Sequence, residues 1–101
     1  MKYMIKSRLA KELQYYSKKI VSNKLVVGPG GNISIKDDGI MWISPSGFAL
    51  DDISNEQWVP VRISNGEVLS SLKPSSELSM HLEIYKQRQD VHSIVHTHPP
   101  I

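Results

Sequence analysis

The stretch of sequence that decides the fold is GPGGNISIKDDGIMWISPSG, residues 28–47. Glycine and proline at both ends break regular structure, so a loop should lie on either side. Isoleucine alternates with polar residues at 33–36, which predicts a half-buried strand. The acidic turn DDG at 37–39 then leads back into a second strand at 40–43. The stretch therefore predicts a β-hairpin between two loops of small residues.

A helix is predicted before this hairpin and further strands after it. The apolar residues spaced three or four apart near the start are Ile5, Leu9, Leu13, Tyr16 and Ile20. This spacing predicts an amphipathic helix over residues 6–22. Residues 58–63 predict a strand, and Pro60 favours an edge position or a bulge because proline cannot donate to a ladder. Asn65-Gly66 is a hairpin signal that leads back through residues 68–69.

A second helix and a last strand complete the pattern. Residues 74–77, Pro-Ser-Ser-Glu, have the composition of a helix start, with a serine cap and an acid in the first turn. This helix should end near Arg88. Its apolar face is formed by Leu78, Leu82 and Tyr85. Residues 91–98 predict a buried strand. The order of elements predicts an α+β or layered α/β fold around a mostly antiparallel sheet.

Composition narrows the class of protein. The chain has 101 residues, a net charge of +2 and no cysteine. Such a mild charge does not indicate a nucleic-acid or membrane partner, and disulfides and thiolate metal sites are excluded. No signal peptide or apolar run of membrane-spanning length is visible. We therefore expect a cytoplasmic protein.

The segment His96-Thr97-His98 is the most informative candidate site. Side chains two apart on a strand share one face at about 6.6 Å, so both imidazoles could bind one zinc-like ion. The alternative is two polar residues at a strand end, satisfied by water or backbone. Zinc also needs a third protein ligand, which the segment lacks. His92 and His81 are interpreted as structural, and His81 as a packed, hydrogen-bonded residue on its helix.

Glu77 and three loops of small residues could bind or transform a ligand. Glu77 is either a plain carboxylate favoured by the helix dipole or a general acid/base beside a metal ion. The loops are Gly30-Gly31-Asn32, Ser46-Gly47 and Ser75-Ser76. Their backbone N–H groups and hydroxyls suit a phosphate, although each loop alone could be an ordinary turn. The chain contains neither a P-loop nor a full G-x-G-x-x-G.

Taken in order, these segments resemble the class II aldolase/adducin family, in particular its fuculose-phosphate aldolase branch. The resemblance rests on Gly30-Gly31-Asn32-Ile33-Ser34, Ile43-Ser44-Pro45-Ser46-Gly47, Ser75-Ser76-Glu77, His81 with Ile84-Tyr85, Arg88, Asp90-Val91 and His96-Thr97-His98-Pro99-Pro100. It implies that residues 1–101 are the N-terminal portion of a single three-layer α/β/α domain, usually part of a homotetramer.

The resemblance also implies roles for individual residues. Zinc would be held by His96, His98 and a third histidine expected beyond Ile101, and Glu77 would be the catalytic acid/base. The substrate phosphate would be bound by Gly31, Asn32, Ser46, Gly47, Ser75 and Ser76. Pro29 stands where the family often has threonine, so one hydroxyl is missing.

The expected function is that of a zinc-dependent lyase for sugar phosphates. It would cleave a ketose 1-phosphate into dihydroxyacetone phosphate and an aldehyde. An epimerase or a dehydratase of the same family would use nearly the same residues, and an adducin-like scaffold is the non-catalytic alternative. Retention of His96, His98 and Glu77 argues against a scaffold. We expect the 101-residue chain alone to be inactive.

Overall fold

The computed structural model describes residues 3–24 and 31–97. Its helices and strands are α1 (Ser7–Ser22), β1 (Asn32–Asp37), β2 (Ile40–Ile43), β3 (Val59–Arg62), α2 (Leu78–Gln87) and β4 (Ser93–His96). Two short 3₁₀ turns, Leu50–Asp52 and Asn55–Gln57, lie between β2 and β3. Within this described part, the strands form one sheet in the order β3-β2-β1-β4, with every neighbouring pair antiparallel. The prediction of a mostly antiparallel sheet is confirmed there.

The β1–β2 hairpin forms as the sequence predicts. Asp37 pairs with Ile40, so the turn consists of Asp38 and Gly39. Both turn residues have positive φ, 52° and 78°. This is the geometry of a type I′ turn, whose twist matches that of the flanking strands. Turn chemistry therefore fixes the register of the two central strands.

Helix α1 covers one face of the sheet with a stripe of small and apolar side chains. The buried residues of the stripe are Leu9, Ala10, Leu13, Ser17 and Ile20. They belong to a cluster that includes the isoleucines of β1 and Trp42 of β2. The prediction that Tyr16 lies in the stripe is wrong, because its side chain is 45% exposed. A step of four residues from Leu13 leads to Ser17, which takes the buried position instead.

The opposite face of the sheet carries a second apolar cluster and helix α2. The buried members of this cluster are Met41, Ile43, Val59, Val61 and Tyr85. Leu78 and Leu82 pack against it, as predicted for the apolar face of the helix. Ser34 pairs with Ile43 and is completely buried on this side, so β1 is covered on both faces and not half-buried. A polar residue is tolerated there because it is hydrogen-bonded.

Strand β3 lies at one edge of the described sheet, where Pro60 was expected. The hairpin predicted at Asn65-Gly66 is present but short. Arg62 N–H donates to the carbonyl of Glu67 at 2.9 Å, and Gly66 adopts a φ of 72°. The returning segment forms an isolated bridge between Val61 and Val68, with no strand of its own.

Strand β4 lies at the other edge and is shorter and more exposed than predicted. It covers Ser93–His96, and Val95 is 47% exposed. The expectation of a buried strand over 91–98 is therefore wrong for its described part. Apolar composition favours a strand but does not show whether another element covers it. Neither described helix is long and apolar enough to cross a membrane.

Candidate functional site

Three strands bring the predicted site residues to one end of the sheet. Strand β1 begins there, and its antiparallel neighbours β2 and β4 end there. Asn32, the first residue of β1, pairs directly with His96, the last residue of β4. On the other side, Ser44 follows β2, and its hydroxyl accepts a hydrogen bond from Ile33 N–H at 3.1 Å. The start of the central strand therefore lies between a candidate metal ligand and a loop of small residues.

A second loop is tied to this end by backbone hydrogen bonds. The residues after β2 run antiparallel to those before α2, with a bridge between Pro45 and Pro74. Ser46 N–H donates to the carbonyl of Lys73 at 2.9 Å, and Ser75 N–H donates to that of Ser44 at 2.9 Å. The structure thus brings two of the three predicted small-residue loops into contact, beside the start of β1.

The start of α2 differs from the predicted serine cap. Glu77 itself is the N-cap residue, and no acidic residue lies in the first turn. Its carbonyl accepts from the N–H groups of Met80 and His81, while its own N–H donates to the Ser75 hydroxyl at 3.2 Å. The Glu77 carboxylate makes no capping hydrogen bond. The Ser75 hydroxyl stabilises the turn before the helix, and the Glu77 carboxylate is not used in capping.

A buried polar network links β1 to α2 directly behind this end of the sheet. His81 Nε2 lies 2.5 Å from Asn32 Oδ1, and His81 Nδ1 lies 2.7 Å from the Ser34 hydroxyl. The Ser34 hydroxyl is also 2.8 Å from the Tyr85 hydroxyl. Because Asn32 presents an oxygen, Nε2 carries the proton and donates it. The Ser34 hydroxyl then donates to Nδ1 and accepts from Tyr85.

Burial keeps this network neutral. Desolvation, and next the positive charge of nearby His96, lower the pKa of His81 to about 4. Desolvation raises the pKa of Tyr85 to about 12, although the hydrogen bond to Ser34 opposes that shift. At neutral pH both the His81 imidazole and the Tyr85 hydroxyl are therefore uncharged.

The described residues supply only part of the predicted metal site. His96 ends β4 and is half-buried, and an imidazole nitrogen is a ligand type that zinc uses. His98 and Gly30 lie outside the described residues. Both ring nitrogens of His81 are already hydrogen-bonded, and His92 is exposed. Within residues 3–24 and 31–97, no three His, Cys, Asp or Glu side chains meet as a metal site would require.

The remaining predicted phosphate-binding residues lie in the same region. Gly31 directly precedes β1, and Gly47 follows Ser46 with a φ of 81°. Ser76 is exposed one residue before the helix cap. Gly31, Ser46-Gly47 and Ser75-Ser76 therefore lie near the end of the sheet at which Asn32 and His96 meet.

For Ser34 and Tyr85 no role in a polar network was predicted, although both lie in segments that carry the family resemblance. A signal was nonetheless present in their spacing. Asn32 and Ser34 share one face of a strand at about 6.6 Å, and His81 and Tyr85 share one face of a helix at about 6 Å. Two polar pairs with matching spacing can pack face to face, as they do here.

The chain matches known proteins over most of its length. Residues 11–101 match the family described as "Class II Aldolase and Adducin N-terminal domain". The 5-deoxy-D-ribulose 1-phosphate aldolase of Bacillus thuringiensis serovar kurstaki is 39% identical over 99 residues, covering 96% of this chain and 46% of that protein. The L-fuculose phosphate aldolase of Methanococcus vannielii is 43% identical over 79 residues, covering 78% and 42%.

A solved structure of L-fuculose 1-phosphate aldolase agrees with the fold. It superimposes with a TM-score of 0.86 at 39% identity, over 95% of this chain and 46% of that one. The chain therefore spans about half the length of the curated relatives it matches. Since the family match and the Bacillus relative together cover nearly the whole chain, the chain belongs to the class II aldolase and adducin family.

Proposed function

We propose that this chain contributes one half of a metal-dependent lyase that acts on a phosphorylated sugar. The reaction is cleavage of a ketose 1-phosphate into dihydroxyacetone phosphate and an aldehyde. The observation that carries the proposal is the pairing of Asn32 with His96 at one end of the sheet, beside two small-residue loops, the second of which leads into Glu77. The relatives named above are aldolases of 1-phosphate or phosphate sugars, which supports this reaction class.

Phosphate binding is assigned to Gly31, Asn32, Ser46, Gly47, Ser75 and Ser76. The serines precede the N-terminus of α2, where unpaired backbone N–H groups and the helix dipole favour an anion. Asn32 adds a side-chain amide from the adjacent strand. Holding the phosphate from three loops would fix the position of the sugar carbons beside Glu77.

Glu77 is assigned as the acid/base that moves the proton. Its carboxylate is half-buried at the helix start and is not used as a cap. A general acid or base must be free to reach the substrate, and a capping carboxylate would not be. The backbone bonds on both sides of Glu77 hold its Cα in place while the side chain stays available.

His96 and His98 are proposed to hold a divalent, zinc-like ion together with a third protein ligand. Such an ion supplies a Lewis acid for the oxygens of the ketose. His96 is carried into position by its pairing with Asn32. The proposal extends to a three-layer α/β/α domain and a homotetramer in the complete protein, since α1 and α2 already cover opposite faces of the sheet.

Metal content of the complete protein tests the metal assignment. We expect one divalent ion per chain by elemental analysis, lost in His96→Ala and in the His96→Ala/His98→Ala double variant. His92→Ala is the matched control, because His92 is exposed four residues earlier and should keep the ion. Full occupancy in the double variant would refute the assignment.

Aldol cleavage tests the role of Glu77. Glu77→Gln keeps size and hydrogen bonding but cannot exchange the proton, so kcat should fall by roughly 10²–10⁴ while the metal remains bound. Glu83→Gln is the control, because Glu83 lies exposed on the same helix and bonds only Gln87 among the described residues. Equal activity of both variants would remove Glu77 from the mechanism.

A further inference from the structure

The side chain of Asn32 is hydrogen-bonded to His81, a residue that has no role in the proposed reaction. Its side-chain oxygen accepts from His81 Nε2 at 2.5 Å, and both residues are buried, with exposures of 3% and 0%. The two ends of a primary amide have nearly the same shape, so packing alone does not decide which end faces inward. A fixed N–H donor does decide it, because only the oxygen can accept that hydrogen bond.

We propose that His81 is a positioning residue that turns the amide of Asn32 so that its N–H groups face the substrate phosphate. The inference rests on the phosphate site proposed above. With the oxygen committed to His81, the two N–H bonds of Nδ2 are the groups left for a ligand. An anion accepts hydrogen bonds and repels a carbonyl oxygen, so the opposite orientation of the amide would oppose binding.

The residues behind His81 can satisfy its other ring nitrogen when the proton lies on Nε2. With Asn32 Oδ1 as the acceptor, the proton lies on Nε2, so Nδ1 accepts from the Ser34 hydroxyl, which in turn accepts from Tyr85. If the chain of donors ran the other way, Nε2 would be an acceptor and would attract the amide nitrogen instead. The Ser34–Tyr85 pair is therefore compatible with the orientation in which the Asn32 oxygen faces His81.

His81 exerts this effect without adding a charge to the site. Burial lowers the pKa of His81 to about 4, so the imidazole is neutral at pH 7. A positioning role therefore predicts a change in phosphate affinity that depends on hydrogen-bond geometry. This dependence selects the variants for the test.

The test compares two amide replacements of His81 in the complete enzyme. The amide nitrogen of glutamine can occupy the position of Nε2 and still donate to Asn32, whereas that of asparagine reaches only the Nδ1 position near Ser34. The readout is competitive inhibition by inorganic phosphate, with kcat and KM for a ketose 1-phosphate. We expect His81→Asn to weaken phosphate binding roughly tenfold, because the Asn32 oxygen loses its partner. His81→Gln should stay within about threefold of the parent.

Asn32→Ala separates this inference from the proposed function. If Asn32→Ala does not weaken phosphate binding, the phosphate role of Asn32 fails, and the positioning role fails with it. If Asn32→Ala weakens binding but His81→Asn does not, only the positioning role is overturned. The double variant Asn32→Ala/His81→Asn should bind phosphate no more weakly than Asn32→Ala alone, since His81 acts through Asn32. The positioning role is overturned if the losses of phosphate affinity in Asn32→Ala and His81→Asn add in the double variant. It is also overturned if His81→Gln and His81→Asn lose affinity equally, because His81 would then be merely structural.

A measurement on the unmodified protein covers the case in which His81→Asn does not fold. Nitrogen-15 NMR distinguishes the two neutral tautomers of an imidazole. We expect His81 to carry its proton on Nε2, and phosphate to shift the side-chain amide signals of Asn32 while leaving those of exposed Asn23 unchanged. A proton on Nδ1 would overturn the inference.

Discussion

Protonation of His81 links a single residue to the stability of the fold. The pKa of this buried imidazole is lowered to about 4, against about 6.5 in an unfolded chain. Between these values the unfolded state binds a proton that the folded state does not, so stability falls as pH falls through this window. The neutral imidazole therefore makes its full contribution to the free energy of unfolding above pH 6.5. Up to about 3 kcal/mol of that free energy is lost near pH 4.

Urea denaturation at pH 7.5, 6 and 5 measures this loss. His81→Gln is the control, because glutamine does not titrate and can keep the bond to Asn32. Its stability should depend less on pH over the same range. Parallel pH profiles for the two proteins would contradict the lowered pKa of His81.

Ser17 is a residue whose replacement should stabilise the protein. It is buried in α1, and its hydroxyl has no hydrogen-bond partner among the described residues. Ser17→Ala removes an unsatisfied polar group and improves helix propensity, so we expect a gain of about 1 kcal/mol. Ser22→Ala is the comparison, because its exposed hydroxyl donates to the Lys19 carbonyl. Thermal melting that ranks Ser17→Ala below Ser22→Ala would disprove this expectation.

Among the elements, the β1–β2 hairpin depends on the backbone of Gly39. Its φ is 78°, and a Cβ added there would meet nothing within 4 Å. Gly39→Ala should therefore cost about 1–2 kcal/mol through backbone strain alone. Asp38→Asn is the matched variant and should be nearly neutral, because asparagine tolerates positive φ. Equal melting temperatures for Gly39→Ala and the parent would show that the turn relaxes.

Elements fixed by local chemistry were predictable from the sequence, and elements fixed by distant contacts were less so. The turn at Asp38-Gly39 and the end of α2 at Arg88 follow from adjacent residues. The exposure of Val95 depends on which distant elements pack over the edge strand, which periodicity does not encode. The burial of Ser34 depends on His81, which lies 47 residues away. The residue types of the site were thus predictable, but their partners were not.

At the scale of the whole molecule, the two apolar clusters lie on opposite faces of the sheet. Substitutions in one cluster should therefore change the free energy of unfolding independently of substitutions in the other. Ile20 belongs to the cluster under α1, and Val61 to the one under α2. We expect Ile20→Val to cost about 1 kcal/mol and Val61→Ala somewhat more. Their double variant should equal the sum to within about 0.5 kcal/mol in chemical denaturation. Strong coupling would show that the sheet transmits repacking from one face to the other.

The central position of β1 in the sheet has a consequence for amide hydrogen exchange. This strand is hydrogen-bonded to β2 and β4 and covered by a helix on each face. Its amides should therefore exchange with deuterium only on global opening, well after those of the half-exposed segment around Val68. Asn32 is the first residue of this slowest-exchanging strand. If phosphate binds to Asn32 as proposed, its hydrogen-bond donor is already held in place by this strand. Little conformational entropy of Asn32 would then be lost on binding.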